Sequence, residues 1–502
     1  MARYKPIDMS PRLLPVDLES QLVPGSFAQA VHRLVGELDL SSFDAHFRND
    51  EVEASAHSPA MLLRAVLLAY SQGMVSSRAI ERACRENVVF IALTGDAKPH
   101  FTTIADFISR SRDAIASVFA QVLSILDGEG LIGRDLFAID GVKLPSNASK
   151  HRSGTRADFL AKASKLERAA KQMLDRHQVN DDAGREGAED KAVARIERMT
   201  EEARKIRTWL AANPEDRKGA RGTIRKSNRT DNESAKMATD KGVIQGYCGV
   251  AVVDARHQVI VEAQAHGTGA EQALLIPVID ACADQRSANT LITADAGYHS
   301  EDNLAALHDR GINALIADGQ MRQRDERLAG QEVHRAKPDP LHDKSGKTTT
   351  AKVFGPDRFI VAEDHCTLFV RLVNASSQRG GCNAPISTRR SSCAPLSACK
   401  DCALRTQCLR KPAITKVRQV AVLTRKQKAT HTQSMRERID SHQGKQQYGR
   451  RFATVEPVFG NVRHNKGLDR FTLRGQRKVD GQWKLFALVH NIEKWANYRK
   501  AA

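Results

Sequence analysis

The sequence predicts a mixed α/β fold, and three observations point to it. Between residues 132 and 318, short apolar runs with the length of buried strands alternate with segments of helical periodicity. Before them, the stretch from about Phe27 to Leu131 is helical in pattern. A highly charged helical segment, residues 150–241, interrupts the α/β region. We therefore predict a mixed sheet with an N-terminal helical domain and a charged helical insertion.

The length and composition favour several folded units. At about 150 residues per domain, 502 residues correspond to about two to four units, and a hydrophobic fraction of 41% excludes wholesale disorder. We divide the chain into an N-terminal helical domain, an α/β core with its insertion, a polar and cysteine-rich insertion, and a basic C-terminal part that completes the core: residues 1–131, 132–318 (with 150–241 inserted), 319–414 and 415–502.

The charge balance points to a polyanionic partner. The 77 Lys and Arg against 59 Asp and Glu give a formal net charge of +18. Nucleic acid is the commonest partner of such a protein. A basic soluble enzyme, whose charge serves only its solubility, is the alternative.

The protein is expected to be cytoplasmic and to have no membrane partner. The N-terminus shows no apolar core of signal-peptide length, and no run approaches the roughly 18 apolar residues of a membrane helix. Nine cysteines in 502 residues are too few for a disulfide scaffold.

The N-terminal helices suit either a helix-turn-helix module that binds DNA or a small helical bundle. Phe27, Val31 and Leu34 recur at helical spacing, and Ser58-Pro59 supplies a cap and a first-turn proline for the next helix. In the charged insertion, Leu160, Ala163, Leu166 and Ala170 recur in the same way, which predicts a helical hairpin.

In the α/β region after the first strand, the predicted order of elements is strand, hairpin strand, helix, strand, helix and strand. Its predicted strands are 135–139, 246–254, 258–265, 291–294 and 313–318, with helices at 269–283 and 302–310. From Arg436 onward the chain is again helical in pattern.

Two of these strands end in an acid, Asp140 and Asp295, each followed closely by glycine. In open α/β sheets the carboxyl ends of strands bind ligands, although an Asp there also serves as a turn former. Magnesium prefers carboxylate ligands, and a pair of ions promotes phosphodiester chemistry. Glu456 is the candidate third acid, although an ion pair is the alternative because residues 415–451 before it hold ten Lys and Arg against two acids.

A cysteine cluster predicts a structural zinc site. Cys399 and Cys402, two residues apart, with Cys408 after them, can present three thiolates to a tetrahedral ion. The fourth ligand is Cys366, Cys382 or Cys393, and free buried thiols are the alternative.

Three blocks together resemble the acidic motifs of bacterial insertion-sequence transposases of the DDE type. They are Asp140-Gly-Val-Lys143, Ala294-Asp-Ala-Gly-Tyr-His-Ser300 and Val455-Glu-Pro-Val-Phe-Gly460. Arg474-Gly475 and the segment Trp483–Asn491 resemble the part that follows the catalytic Glu in that family. The resemblance covers about residues 25–495.

The resemblance implies an RNase H-like catalytic core whose metal-binding triad is Asp140, Asp295 and Glu456. The triad would hold two Mg²⁺ or Mn²⁺ ions. A cysteine-rich insertion is also found in similar transposases, which favours Cys366 as the fourth zinc ligand. Tyr448, Arg451 and Glu456 match the family's Tyr–Arg–Glu–Lys signature with one extra residue before Glu, and Arg463 stands at the Lys position. The residues expected to contact DNA are Lys143, Tyr448, Arg451 (or Arg450), Arg463 and Lys466.

The sequence therefore predicts a transposase that cleaves double-stranded DNA at transposon ends and transfers the strand into target DNA. We expect a homodimer or higher oligomer, because two ends must be brought together. A metal-dependent nuclease of the same fold and a zinc-containing DNA-binding protein without catalysis are the alternatives.

Overall fold

The structure is a computed structural model that describes most of the chain. The described residues are 17–46, 56–182, 189–219, 222–239, 242–326, 353–354, 359–361, 368–370, 390–393, 400, 402–410, 412–422 and 431–501. The chain forms two compact units, one from Met1–Lys337 with His431–Ala502 and the other from Pro338–Thr430.

A six-stranded mixed sheet lies at the centre of the first unit. Its strands are β1 (Leu136–Pro145), β6 (Ala235–Thr239), β7 (Gly242–Asp254), β8 (Ile260–His266), β9 (Leu291–Ala294) and β10 (Ala314–Ile316). The order is β10-β9-β1-β7-β6, and β8 also pairs with β7. The mixed α/β class predicted from the sequence is confirmed.

The pairing directions change across β1. β7 is antiparallel to β1 and to β8, whereas β9 is parallel to β1 and β10 is parallel to β9. The predicted hairpin of β7 and β8 is present, and the Asp254 carboxylate accepts hydrogen bonds from Arg256 N and His257 N in the turn and from Gly133 N before β1. β9, β10 and most of β7 are continuously buried because both faces of the sheet are covered there, whereas residues of β8 alternate between buried and half-buried.

Helices precede the sheet, as the sequence predicts. In the described part of the N-terminal region they are α1 (Phe27–Glu37), α2 (Pro59–Ser71), α3 (Ser77–Glu86), α4 (Val88–Thr94), α5 (Phe101–Arg110) and α6 (Arg112–Gly128). Proline at the first position of α2 follows the cap residue Ser58. The helices share one hydrophobic core with the sheet.

The charged insertion is a helical hairpin, α7 (Arg156–Asp182) and α8 (Glu189–Ala212), with two-residue strands near its base. These strands are β2 (Ser153–Gly154), β3 (Arg217–Lys218), β4 (Ile224–Arg225) and β5 (Ser227–Asn228). The hairpin has its own small core, in which Phe159 and Ala163 pack against Ile206 and Leu210. Of the residues that recur at helical spacing, Leu160 is exposed, and the aromatic ring of the neighbouring Phe159 packs against Trp209.

Further helices of the first unit surround the sheet, and the last of them links it to the N-terminal helices. α9 (Leu275–Ala281) and α10 (Glu301–Asp309) follow β8 and β9, and a short α11 (Met321–Arg324) follows β10. After the second unit come α13 (His431–Asp440), α14 (His442–Gly460) and α15 (Gln476–Ala501). α15 is buried on every side between Val479 and Ile492, since it packs on β8 and on α6.

The second unit contains β11 (Phe359–Val361), β12 (Leu368–Val370), β13 (Arg390–Cys393), the short α12 (Arg405–Cys408) and β14 (Gln419–Val422). Its strands form two antiparallel pairs, β11 with β12 and β13 with β14. Across the described part of the chain, no helix is long and apolar enough to cross a membrane.

Candidate active site

Asp140 lies in the middle of β1, not at its tip as the sequence suggested. The strand continues to Pro145, because its backbone stays paired with the long antiparallel strand β7. The parallel neighbour β9 stops earlier, and its last paired residue, Ala294, lies opposite Ile139. Asp140 and Asp295 each follow the last residue of the parallel pairing, Ile139 and Ala294 respectively. The two aspartates therefore lie at the same level of the sheet.

Asp295 begins a short 3₁₀ helix, Ala296–Tyr298, and its carboxylate accepts a hydrogen bond from Gly297 N at 2.9 Å. The Asp140 carboxylate accepts one from Gly141 N at 2.8 Å. In both cases a backbone amide fixes one carboxylate oxygen. The sheet register thus brings together two of the three acids that the sequence predicts for a metal site.

The pKa of Asp140 is raised to about 6, and the cause is burial first. The negative charges of Asp295 and Glu271 raise the pKa further, whereas Arg451 opposes them. Arg451 Nη2 lies 2.9 Å from Asp140 Oδ2, and only 4% of the arginine side chain is exposed. Arg451 thus supplies a buried positive charge to a site where acidic groups repel one another.

Glu271 is a third acid at this site, and the sequence analysis did not identify it. It follows β8 at the start of a short 3₁₀ helix. Its carboxylate lies 3.3 Å from Lys143 Nζ, and the side chain is 13% exposed. Burial and the charge of Asp295 raise the pKa of Glu271, while Lys143 opposes them. The only sequence signal was an acid in the first turn of a predicted helix, which is common at helix N-termini.

Two glycines make room for these side chains. A β-carbon at Gly297 would overlap Glu271 Oε2 and would lie 3.0 Å from Asp295 Oδ1. A β-carbon at Gly141 would lie 2.9 Å from Cys248 Sγ, 3.1 Å from Tyr298 Oη and 3.3 Å from Glu271 Oε1. Glycine in both acidic motifs therefore follows from close packing of the site.

Two buried groups line the same place. Tyr298 is fully buried, and its hydroxyl has no hydrogen-bond partner among the described residues. Burial is the main cause that raises its pKa, so the phenol is neutral and can donate. The Cys248 thiol lies 3.6 Å from Glu271 Oε1, and burial likewise raises its pKa. Cys248 is thus a fully buried core residue whose sulfur also faces an acid of the site.

Glu456 lies on α14, the helix that carries Arg451 across β1. Its side chain is exposed, and it makes no hydrogen bond or ion pair with any described residue. Within the described residues, no three His, Cys, Asp or Glu side chains converge closely enough to hold one metal ion. The structure thus brings Asp140 to Asp295 and leaves Glu456 on a neighbouring helix without a bond to either, so the triad stays a prediction.

The residues predicted to contact DNA have diverse surroundings. Tyr448 is buried, its hydroxyl donates to Ala294 O at 3.4 Å, and burial raises its pKa to about 12. Lys466 is buried in an ion pair with Glu493 at 2.8 Å, so DNA contact would require that pair to open. Arg463 is half-buried, and its Nε has no hydrogen-bond partner among the described residues. The proposed DNA contacts of all three remain predictions.

The predicted zinc site lies only partly within the described residues. Cys402 and Cys408 are half-buried, and the Cys402 carbonyl accepts a hydrogen bond from Arg405 N at 3.0 Å. Cys399 and Cys366 lie outside the described residues, as does the alternative Cys382, and the side chain of Cys393 is not described. The zinc site therefore stays a prediction.

Two stretches of the chain match family models. Residues 383–496 match the model described as Transposase DDE domain. Residues 16–110 match the model described as Transposase domain (DUF772). No curated protein sequence matches the chain.

The two matched stretches lie toward opposite ends of residues 25–495, the range over which the resemblance was predicted. The DDE match covers the helix with Tyr448, Arg451 and Glu456, while Asp140 and Asp295 lie between the two matched stretches. The resemblance predicted from the three acidic blocks is confirmed: the chain carries a transposase domain in its N-terminal part and a transposase DDE domain toward its C-terminus.

Proposed function

We propose that this transposase hydrolyses one DNA strand at each transposon end and then joins the freed strand to target DNA. The observation that carries the proposal is the parallel register of β1 and β9, which supports a shared role for Asp140 and Asp295. Two carboxylates fixed by backbone amides on adjacent strands suit a divalent cation, which prefers oxygen ligands.

We assign the sheet to an RNase H-like core. An antiparallel run of three strands, β8, β7 and β1, continues into the parallel strands β9 and β10. α14 covers β1 from outside and carries Arg451 and Glu456. This arrangement supports a catalytic helix that packs across the central strand.

Asp140, Asp295 and Glu456 would hold Mg²⁺ or Mn²⁺. Bound ions of this kind lower the pKa of an attacking water and neutralise charge on a leaving oxygen. The residues fit the role, because buried acids that repel one another gain from a cation between them. Glu456 has no competing partner among the described residues, so its carboxylate is available as the third ligand.

The two chemical steps balance without a covalent enzyme intermediate. In the first, water attacks phosphorus and the P–O3′ bond breaks, which leaves a 3′-hydroxyl and a 5′-phosphate. In the second, that 3′-hydroxyl attacks a target phosphodiester, a new P–O3′ bond forms and a target 3′-hydroxyl leaves. The chain's own contribution is to orient the acids and to place Arg451 beside them.

The net charge of +18 supports a DNA partner, and both the hairpin and the basic segment 415–451 would contact phosphates. Binding should therefore weaken steeply as the salt concentration rises. We propose a homodimer or higher oligomer and a cytoplasmic location with access to DNA. A structural zinc ion held by Cys399, Cys402, Cys408 and Cys366 completes the proposal.

The test uses purified protein and a supercoiled plasmid that carries its gene with flanking DNA. Cleavage is mapped with Mg²⁺, with Mn²⁺ and with EDTA, for wild type and for Asp295→Asn and Glu456→Gln. We expect cuts at discrete positions outside the gene, lost in EDTA and reduced at least about 100-fold in both variants. Asp135→Asn is the matched control, because Asp135 lies at the other end of the strand, half exposed, in an ion pair with Arg450.

A strand-transfer assay with a labelled 3′ end separates a transposase from a nuclease. Joined products support the proposal, and cleavage without joining would assign a nuclease. Folded protein that binds DNA and shows no metal-dependent cleavage would contradict catalysis altogether.

A further inference from the structure

We propose that Glu271 is a ligand of the divalent cation at the Asp140–Asp295 site, in addition to the three predicted acids. This inference rests on the proposed function, since it concerns the same metal site. It assigns a fourth carboxylate, from the segment between β8 and α9, to the catalytic centre.

Glu271 lies beside both acidic strands. Its Oε2 and Asp295 Oδ1 both lie against the space beside Gly297, and its Oε1 lies against the space beside Gly141. Glu271 therefore reaches both glycines that follow the two aspartates, Gly141 after Asp140 and Gly297 after Asp295. Bulkier residues at either glycine would separate it from the aspartates.

The charges around Glu271 favour a cation. Three carboxylates, Asp140, Asp295 and Glu271, affect one another electrostatically, and two cations face them. Arg451 pairs with Asp140, and Lys143 pairs with Glu271. The Asp140 carboxylate is directed toward Arg451, and that of Glu271 toward Lys143. In keeping with this, no three acids converge on one point among the described residues. A divalent cation would bring compensating charge to the point where the acids face one another.

A buried hydroxyl at the same place points independently to a ligand. The Tyr298 hydroxyl is fully buried, has no partner among the described residues, and lies against the same space beside Gly141 as Glu271 Oε1. A buried hydroxyl that loses its hydrogen bond to water is normally satisfied by another protein group, a ligand or an ordered water. A water bound to the cation, or the rearranged Glu271 carboxylate, would accept its hydrogen bond.

A purely structural ion pair between Glu271 and Lys143 is the competing explanation. Glu262 provides the matched control, because it is 14% exposed, lies 3.5 Å from Lys484 and has a pKa raised by burial. It therefore resembles Glu271 in burial and in having a lysine partner. Its partner Lys484 lies on α15, however, whereas the partner of Glu271, Lys143, lies on β1 with Asp140.

The experiment titrates Mn²⁺ alone into the full-length protein at pH 7.5 and measures affinity by calorimetry. Wild type, Glu271→Gln, Glu262→Gln and Asp295→Asn are compared. We expect Glu271→Gln to weaken Mn²⁺ binding at least about 10-fold, as loss of a metal-site partner does. Glu262→Gln should bind as wild type does. Should Glu271→Gln fail to fold, Glu271→Asp, which keeps the charge on a shorter side chain, is expected to weaken binding at least about 3-fold.

The outcomes separate this inference from the proposed function. If Asp295→Asn loses Mn²⁺ binding while Glu271→Gln stays within about twofold of wild type, the inference is overturned and the metal site stands. The inference is also overturned if Glu271→Gln loses DNA cleavage but binds Mn²⁺ normally, since Glu271 then acts through Lys143. A wild-type protein that binds no Mn²⁺ would overturn the proposed function itself.

Discussion

The ion pair between Arg451 and Asp140 should stabilise the protein above pH 6 and contribute little below it. Asp140 has a pKa of about 6 in the folded protein, against an ordinary value of 3.8. Below pH 6 its carboxyl is protonated, so Arg451 faces a neutral group. Above pH 6 the carboxylate is charged, and its partner Arg451 is almost fully buried.

We therefore expect Arg451→Met to destabilise the protein at pH 8 and to have a much smaller effect at pH 5. Removing one partner of a buried ion pair costs about 3–5 kcal/mol. Because the Asp140 side chain is 26% exposed, water screens part of this, and we expect about 2–3 kcal/mol. For a folded unit of about 400 residues, that loss corresponds to a fall in Tm of about 2–3 °C.

The direction of this pH dependence follows from the numbers of protons that the folded and unfolded states bind. An acid whose pKa is raised by folding binds more protons in the folded state, so stability falls as pH rises through the interval between its two pKa values. For wild-type Asp140 this interval is 3.8 to about 6. Without Arg451 the folded pKa rises further, so the variant loses stability over a wider range of pH.

The assay is thermal unfolding in EDTA at pH 5 and pH 8, with Arg450→Met as the matched control. Arg450 is the neighbouring residue on the same helix, and its ion pair with Asp135 is about half exposed on both sides. Such surface pairs contribute about 0–1 kcal/mol. A cycle with Asp140→Asn should give a coupling of about 2 kcal/mol at pH 8 that disappears at pH 5. An equal Tm loss from Arg451→Met at both pH values would refute the reasoning.

Three further predictions concern packing and metal content. Gly297→Ala should slow metal-dependent cleavage, because its β-carbon displaces the carboxylate end of the Glu271 side chain; Gly319→Ala, where a β-carbon meets nothing within 4 Å, should cleave as wild type does, and equal activities of the two variants would contradict this. Trp483→Ala should lower the free energy of unfolding by about 3–5 kcal/mol in denaturation experiments, because the ring is buried and its Nε1 donates to Val250 O; a loss below about 1 kcal/mol would count against that packing. We expect elemental analysis to find about one zinc ion per wild-type chain and Cys402→Ser to remove it, and zinc-free wild type would disprove the site.

Much of the fold could be predicted from local pattern. The hairpin between β7 and β8 and the strand before Asp295 follow from apolar runs bounded by turn residues. The hairpin insertion follows from helical spacing, but that spacing does not decide that Phe159 is buried while its neighbour Leu160 is exposed. Periodicity identifies a face only to within one residue, and the larger aromatic ring took the buried position.

The sequence by itself determined the chain's chemistry: its positive charge, the acids Asp140, Asp295 and Glu456, and the family resemblance that these blocks carry. Only the tertiary structure decided which acids meet. Asp140 faces Asp295 because β1 and β9 pair in parallel register, and Glu271 reaches them because its segment folds back over both glycines. The register joins residues 155 positions apart in sequence, and Glu271 meets Gly141 and Gly297, which lie 130 and 26 positions away; no local pattern encodes such contacts.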